Sequence, residues 1–132
     1  MKTKVSITKS FKKQAKKLLK KYASLRIELM ELESILLNNP YHGTKINEHI
    51  YKIRIAVKSK GKGKSGGLRA ITYLETEIIF ITESLSNSEI TVNLIAIYDK
   101  SETENITSKE ITELIKNIDH NIFIIMVNLR DK

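Results

Sequence analysis

A set of lysine and arginine residues in the middle of the chain has the side-chain types needed to hold a phosphate. Lys52 and Arg54 alternate within YKIRIAV, and Arg69 follows the basic stretch KSKGKGKSGG. Lys100 ends the run ITVNLIAIYDK. Arginine binds a phosphate through two parallel N–H donors, and a lysine crowded by other cations loses its proton more readily. The set favours phosphodiester chemistry, although Lys52 and Arg54 also fit the solvated face of an amphipathic strand.

Metal-dependent chemistry has little support in the sequence. The chain has no cysteine, and its three histidines, His42, His49 and His120, show no metal-ligand spacing. No aspartate or glutamate occurs from 49 to 74, so carboxylates of this segment cannot hold a catalytic metal. We therefore expect no metal and no cofactor.

The basic stretch contains a GKS string at 63–65, which is typical of a nucleotide-binding loop. That motif needs a glycine at position 58, where this chain has a lysine, and it must open a helix. Here the string lies between two predicted strands. We interpret the stretch as the tip of a β-hairpin, with Ser65-Gly66-Gly67 in the return turn. We expect this tip to grip a phosphate backbone, such as that of RNA, through four lysines: Lys58, Lys60, Lys62 and Lys64.

Two segments of the chain are basic and free of acids. Residues 1–24 contain nine lysines, and residues 49–74 contain seven lysines and arginines, within a net charge of +8. Such segments favour a polyanionic partner if they converge on one face, although lysines also simply keep small proteins soluble. The first segment offers Lys12, Lys13, Lys16 and Lys17 as contacts to such a partner; the family resemblance given below implies that this partner is ribosomal RNA.

Two helices are predicted after a short opening strand at Val5 and Ile7. Thr8 or Ser10 caps the first helix, Ser24 caps the second, and Asn38-Asn39-Pro40 ends it. The short connection predicts an antiparallel hairpin of helices. The first apolar face comprises Phe11, Ala15, Leu18, Leu19 and Tyr22, and the second comprises Leu25, Leu29, Leu32 and Leu36.

Strands are predicted next, from runs rich in β-branched residues. The runs are 51–57, 68–74, 78–81 and 90–98, and their short loops predict a mainly antiparallel sheet. In the first run Ile53, Ile55 and Val57 face one way. A helix follows at about 107–117. The fold class is a small single-domain α+β fold, with the N-terminal helical hairpin on a mainly antiparallel four-stranded sheet and a C-terminal helix.

The domain is expected to span 1–132, with its core at about 3–117 and a C-terminal extension at 118–132. The extension contains the apolar run 121–127, which we expect to be buried. The beginning of the chain lacks the apolar stretch of a secretory signal, and no run is long enough to span a bilayer. We therefore expect a cytoplasmic protein.

Two stretches, YKIRIAVKSKGKGKSGGLRAITYL and LIAIYDKSETENITSKEITELIK, resemble the RelE/ParE superfamily of toxins, and specifically its HigB-type, RelE-like branch. The order of the other features also matches: an opening strand, a basic helical pair and a Pro-x-x-Gly turn at 40–43. The resemblance covers about residues 3–117. It implies a toxin of a type II toxin–antitoxin system, with the fold predicted above.

The resemblance further implies a ribosome-dependent mRNA endonuclease that inhibits translation. Such enzymes need no metal, and the ribose 2′-hydroxyl attacks the adjacent phosphate to give a cyclic phosphate. The implied partners are the 70S ribosome, mRNA and a cognate antitoxin, a small helix-turn-helix DNA-binding protein.

The resemblance also implies roles for individual residues. Arg69 holds the phosphate, and Lys52 or Arg54 assists, the lysine being the one able to act as a base. Lys100 neutralises the leaving group or contacts ribosomal RNA. Several relatives carry a tyrosine in the final helix, which this chain lacks, so Tyr98 takes that role or the role is absent.

Two other functions remain open from the sequence. One is a ParE-like inhibitor of DNA gyrase on the same fold, for which a phosphate-facing set of cations is not needed. The other is a non-catalytic module that binds RNA, which the sequence does not separate from a nuclease that acts only on the ribosome.

Overall fold

The computed structural model describes residues 2–60, 67–81, 86–102 and 106–118. Over these residues the chain is a small α+β fold with three helices and a five-stranded mixed sheet. The elements are β1 (Lys2–Ile7), α1 (Lys9–Lys21), α2 (Leu25–Asn38), β2 (Thr44–Lys45), β3 (Ile50–Ile55), a 3₁₀ turn (Lys58–Lys60), β4 (Leu68–Ile81), β5 (Ser86–Asp99) and α3 (Ser108–Lys116).

The sheet has the strand order β1-β5-β4-β3-β2, and the predicted four-stranded, mainly antiparallel sheet is wrong in two respects. First, β1 pairs with β5 in parallel. Short loops fix strand direction only from β3 to β5, whereas a long helical connection leaves the direction of β1 open. Second, the strand β2 pairs with β3 and makes a fifth strand. The runs 68–74 and 78–81 form one strand, because the β4–β5 pairing continues through Glu75 and Glu77. The two-residue strand β2 was not predicted.

One face of the sheet, here called the α1/α2 face, carries the larger core. Thr8 caps α1 as predicted, its hydroxyl oxygen accepting the N–H of Phe11 at 3.2 Å. In α1 the residues Phe11, Ala15, Leu18 and Tyr22 are buried, whereas Leu19 is 39% exposed. The helical periodicity therefore predicted the buried face of the first helix correctly except at Leu19.

The second helix adds Leu25, Leu32 and Leu36 to the same core, with Leu29 packed beside them. It ends at Asn38, close to the predicted stop. The strand residues Ile53 and Ile55 face this core as their alternation predicted. The antiparallel pairing of α1 with α2 stays a prediction.

The opposite face, here called the α3 face, carries a second, smaller core. Ile50, Ile71 and Ala96 meet Ile111 of α3 there. Thr107 caps α3, and its hydroxyl oxygen accepts the N–H of Glu110 at 3.1 Å. The predicted helix at 107–117 is thus confirmed.

The turn at 40–43 depends on Gly43, whose φ of +107° lies in the left-handed region. A Cβ at this position would lie 2.6 Å from the carbonyl oxygen of Lys52, so only glycine lets the turn approach β3 this closely. The run 121–127 and almost all of the 118–132 extension lie outside the described residues. In the described part, no helix combines the length and apolarity that crossing a membrane requires.

Candidate functional site

Three of the predicted site residues form a row across neighbouring strands. Arg54 of β3 pairs with Arg69 of β4, and Arg69 pairs with Tyr98 of β5. Residues directly opposite each other in antiparallel strands project to the same face of the sheet. The register therefore brings together side chains from three separate sequence segments, on the α3 face. We call Arg54, Arg69 and Tyr98 the Arg–Arg–Tyr row.

Arg69, at the centre of the row, is a buried cation. The residue is only 5% exposed, and its Nη1 donates to the carbonyl oxygen of Leu68 at 3.2 Å. Among the described residues, no carboxylate lies within ion-pair distance of it. A guanidinium has five N–H donors, and a buried charge is costly unless it is paired. Arg69 therefore has the charge and the donor capacity to bind an anion.

Arg54 lies at the exposed end of the row, on the outer side of Arg69. Because the strand alternates, Lys52 shares the α3 face with Arg54, and it pairs with Ile71 across β3 and β4. Lys52 is half-buried. The cations thus run from the solvent at Arg54 to the buried guanidinium of Arg69.

Tyr98 ends the row with a buried hydroxyl. This oxygen has no hydrogen-bond partner among the described residues. Burial raises the pKa of Tyr98, while the nearby backbone of Ile106 and the charge of Arg69 act in the opposite direction. The phenol is therefore protonated at neutral pH and serves as a hydrogen-bond donor, not as a base.

Lys100 lies at the same end of the sheet as the row. It follows Asp99, the residue that pairs with Leu68 beside Arg69, and its side chain is exposed. Its exposure leaves it able to contact a ligand that approaches this end of the sheet.

The lysines of the basic stretch, which were predicted to grip RNA, differ in exposure and in contacts. Lys58 is exposed, and Lys62 and Lys64 lie outside the described residues. Lys60 is instead used within the fold, because its Nζ lies 2.7 Å from Oδ1 of Asp99 and its side chain is only 16% exposed. Sequence reasoning missed Asp99, although an acid at the end of an apolar strand is a signal of an internal ion pair.

The four helix lysines lie on the other side of the sheet. Helix α1 packs on the α1/α2 face, and its lysines are exposed on its outer side. A polyanion that contacts both these lysines and the row must reach around an edge of the sheet. The residues are Lys12, Lys13, Lys16 and Lys17.

Across 2–60, 67–81, 86–102 and 106–118, no three histidine, aspartate or glutamate side chains form a group able to hold a metal ion. A scan against protein-family models gives no match, and no curated protein matches the sequence. The row and the basic stretch are therefore the features of this chain that bear on its function.

Proposed function

We propose that this chain is a RelE-type toxin of a type II toxin–antitoxin system, a ribosome-dependent mRNA endonuclease acting in the cytoplasm. The observation that carries the proposal is the Arg–Arg–Tyr row, whose central guanidinium is buried without a carboxylate partner among the described residues. In this proposal α1 and α2 pair as the antiparallel hairpin of that family. A small helix-turn-helix antitoxin holds the toxin inactive.

In the proposed reaction, the 2′-hydroxyl oxygen of a ribose attacks the adjacent phosphorus and the bond to the 5′-oxygen breaks. Lys52 takes the proton from the 2′-hydroxyl, and Arg69 stabilises the charge that develops on the non-bridging oxygens. Tyr98 donates a hydrogen bond to the same phosphate. The leaving 5′-oxygen takes up a proton from water, and Lys100 offsets its charge until it does. The products are a 2′,3′-cyclic phosphate and a 5′-hydroxyl.

Binding, as distinct from cleavage, is assigned to the exposed cations. Lys58 and the lysines at 62 and 64 grip the mRNA backbone, and the lysines of α1 contact ribosomal RNA. Each contact to a phosphate releases counterions, so the affinity falls steeply as salt rises. The row on the α3 face and the α1 lysines on the other side of the sheet fit a protein that lies between mRNA and ribosomal RNA.

One observation favours a second candidate, an RNA-binding module that does not cut. Arg69 is 5% exposed and the Tyr98 hydroxyl is buried, so a phosphate reaches them only if neighbouring groups move. Under this alternative the exposed cations bind RNA, and Arg69 and Tyr98 belong to the fold.

The wild-type chain tests the proposal in three parallel assays. A defined mRNA is translated in an extract, the same mRNA is incubated without ribosomes, and plasmid DNA is incubated with gyrase. We expect cleavage in the ribosomal A site only, with fragments that end in a 2′,3′-cyclic phosphate. Intact mRNA with gyrase-linked DNA breaks would instead identify a ParE-like inhibitor. RNA binding without cleavage in any assay would identify the non-catalytic module.

A further inference from the structure

The outer face of helix α2 carries exposed apolar side chains in a line. Ile27 is 61% exposed, Met30 is 63% exposed and Leu37 is 45% exposed. Together with the exposed Ser34, they follow the spacing i, i+3, i+7 and i+10, which places all four on one side of a helix. We call Ile27, Met30, Ser34 and Leu37 the α2 stripe. The stripe lies opposite the leucines of α2 that are buried in the larger core.

Helix α2 is therefore apolar on two opposite faces, and the fold covers only one of them. A helix at the surface of a globular protein normally has a polar outer face, and a helix that is apolar all round is normally buried. Exposed apolar side chains that lie next to one another mark a contact with another molecule. The stripe thus has the character of an interaction surface.

The charged residues beside the stripe indicate what kind of partner it fits. Glu31 lies on one side of the stripe and Glu33 on the other. Both are exposed, and among the described residues neither forms an ion pair. Helix α2 contains no lysine, and its single base, Arg26, lies at its N-terminal end. Although the whole chain has a net charge of +8, the centre of the stripe is acidic, so it favours a cationic partner over a nucleic acid.

A second copy of this chain does not fit the stripe. Two stripes that overlap fully are centred at position 32, and Glu31 and Glu33 lie one residue to either side of that centre. In an antiparallel pair of α2 helices, each glutamate faces the same glutamate of the other copy. In a parallel pair, Glu31 faces Glu33. Both arrangements bring like charges together at the middle of the interface, which is unfavourable.

We propose that the α2 stripe is a docking surface for an amphipathic helix of another protein, one that carries lysine or arginine on both sides of its apolar face. The apolar face covers Ile27, Met30 and Leu37, and the bases pair with Glu31 and Glu33. Because α2 packs on the α1/α2 face, the stripe lies on the other side of the sheet from the Arg–Arg–Tyr row. The inference goes beyond the proposed function and does not depend on it.

A single introduced thiol reports whether the stripe is covered. The chain has no cysteine, so Ser34→Cys places one thiol at the centre of the stripe, and Ser108→Cys places one at an exposed position of α3 as the control. In the full-length chain without a partner, both thiols should react with a labelling reagent at similar rates. Slow labelling of Ser34→Cys alone would show that another part of the chain or a second copy already covers the stripe, and it would overturn the proposal.

Two helical peptides then serve as model partners. They share one apolar face and differ only in the residues beside it, which are lysines in one peptide and glutamates in the other. At ten times its Kd, the lysine peptide should slow the labelling of Ser34→Cys about tenfold and leave Ser108→Cys unchanged. The glutamate peptide should slow neither, although the net charge of +8 attracts it. Protection of Ser34→Cys by both peptides equally, or by neither, would overturn the proposal.

Surface substitutions locate the binding on the full-length chain. Met30→Ser should weaken binding of the lysine peptide about tenfold, because it removes an apolar side chain from the interface. Glu31→Gln should weaken it about threefold, because it removes one exposed ion pair. Leu19→Ser is the matched control, since Leu19 is an exposed apolar residue of α1 outside the stripe, and it should bind like the wild type. Wild-type affinity in Met30→Ser, or an equal loss in Leu19→Ser, would contradict docking on the stripe.

Discussion

At the scale of single residues, the central feature is a buried arginine beside a half-buried tyrosine whose hydroxyl oxygen is buried. Arg69 and Tyr98 are cross-strand partners, and neither finds a charged or hydrogen-bonding side-chain partner among the described residues. Buried polar groups of this kind lower stability unless a ligand or neighbour satisfies them. We therefore assign them to ligand binding.

Tyr98→Phe tests that assignment. The hydroxyl has no side-chain partner among the described residues and only the Ile106 backbone beside it, so its removal should leave the unfolding temperature about the same. If the hydroxyl donates to the phosphate, ribosome-dependent cleavage should fall about tenfold to a hundredfold. Thermal unfolding and single-turnover cleavage are measured on the same preparation. Full activity in a protein of unchanged stability would show that Tyr98 is only part of the fold.

At the scale of elements, the local sequence pattern predicted those features that depend only on residues close together in the chain. The cap at Thr8, the buried series from Phe11 to Tyr22 and the alternation of Ile53 with Ile55 follow from helix and strand periodicity. The parallel pairing of β1 does not, because it joins residues almost ninety positions apart. Lys60 and Asp99 are likewise 39 positions apart, so no local pattern predicted that Lys60 serves the fold.

The ion pair of Lys60 with Asp99 predicts how stability depends on pH. Burial alone would raise the pKa of Asp99, but hydrogen bonds from Lys60, Tyr22 and Ser101 outweigh it and hold the pKa well below its ordinary 3.8. A carboxyl group whose pKa is lower in the folded state stabilises the fold at pH values above its unfolded-state pKa. This stabilisation is lost as the pH falls towards the folded-state pKa.

Denaturant unfolding of the wild type and Asp99→Asn at several pH values measures this contribution. The difference in unfolding free energy should be constant from pH 7 to about pH 5 and should shrink as the pH falls below about 4. Glu102→Gln, which breaks an exposed pair, should change the unfolding free energy by less than about 1 kcal/mol. A difference for Asp99→Asn that stays constant down to pH 3 would contradict the ion pair.

At the scale of the whole molecule, a net charge of +8 is divided between two sides of one sheet. The α1 lysines lie outside the α1/α2 face, and the row lies on the α3 face. The sequence shows that residues 1–24 and 49–74 are both basic, but only the packing of α1 shows that its lysines lie on the opposite side of the sheet from the row. In the proposed function, the charge supports binding to a polyanion, whereas cleavage depends on the row together with Lys52 and Lys100.

Single-turnover cleavage of a defined mRNA on the ribosome by Arg69→Met tests whether the buried guanidinium takes part in cleavage. Methionine keeps most of the buried volume without the charge, and a hydrophobic replacement of a buried ion is often neutral for stability. Arg26→Met is the control, because Arg26 is exposed on α2 and the change in net charge is the same. We predict that Arg69→Met folds, binds ribosomes and cleaves at least about a hundredfold more slowly, while Arg26→Met matches the wild type. A folded Arg69→Met variant that cleaves at the wild-type rate would contradict a role of Arg69 in the reaction.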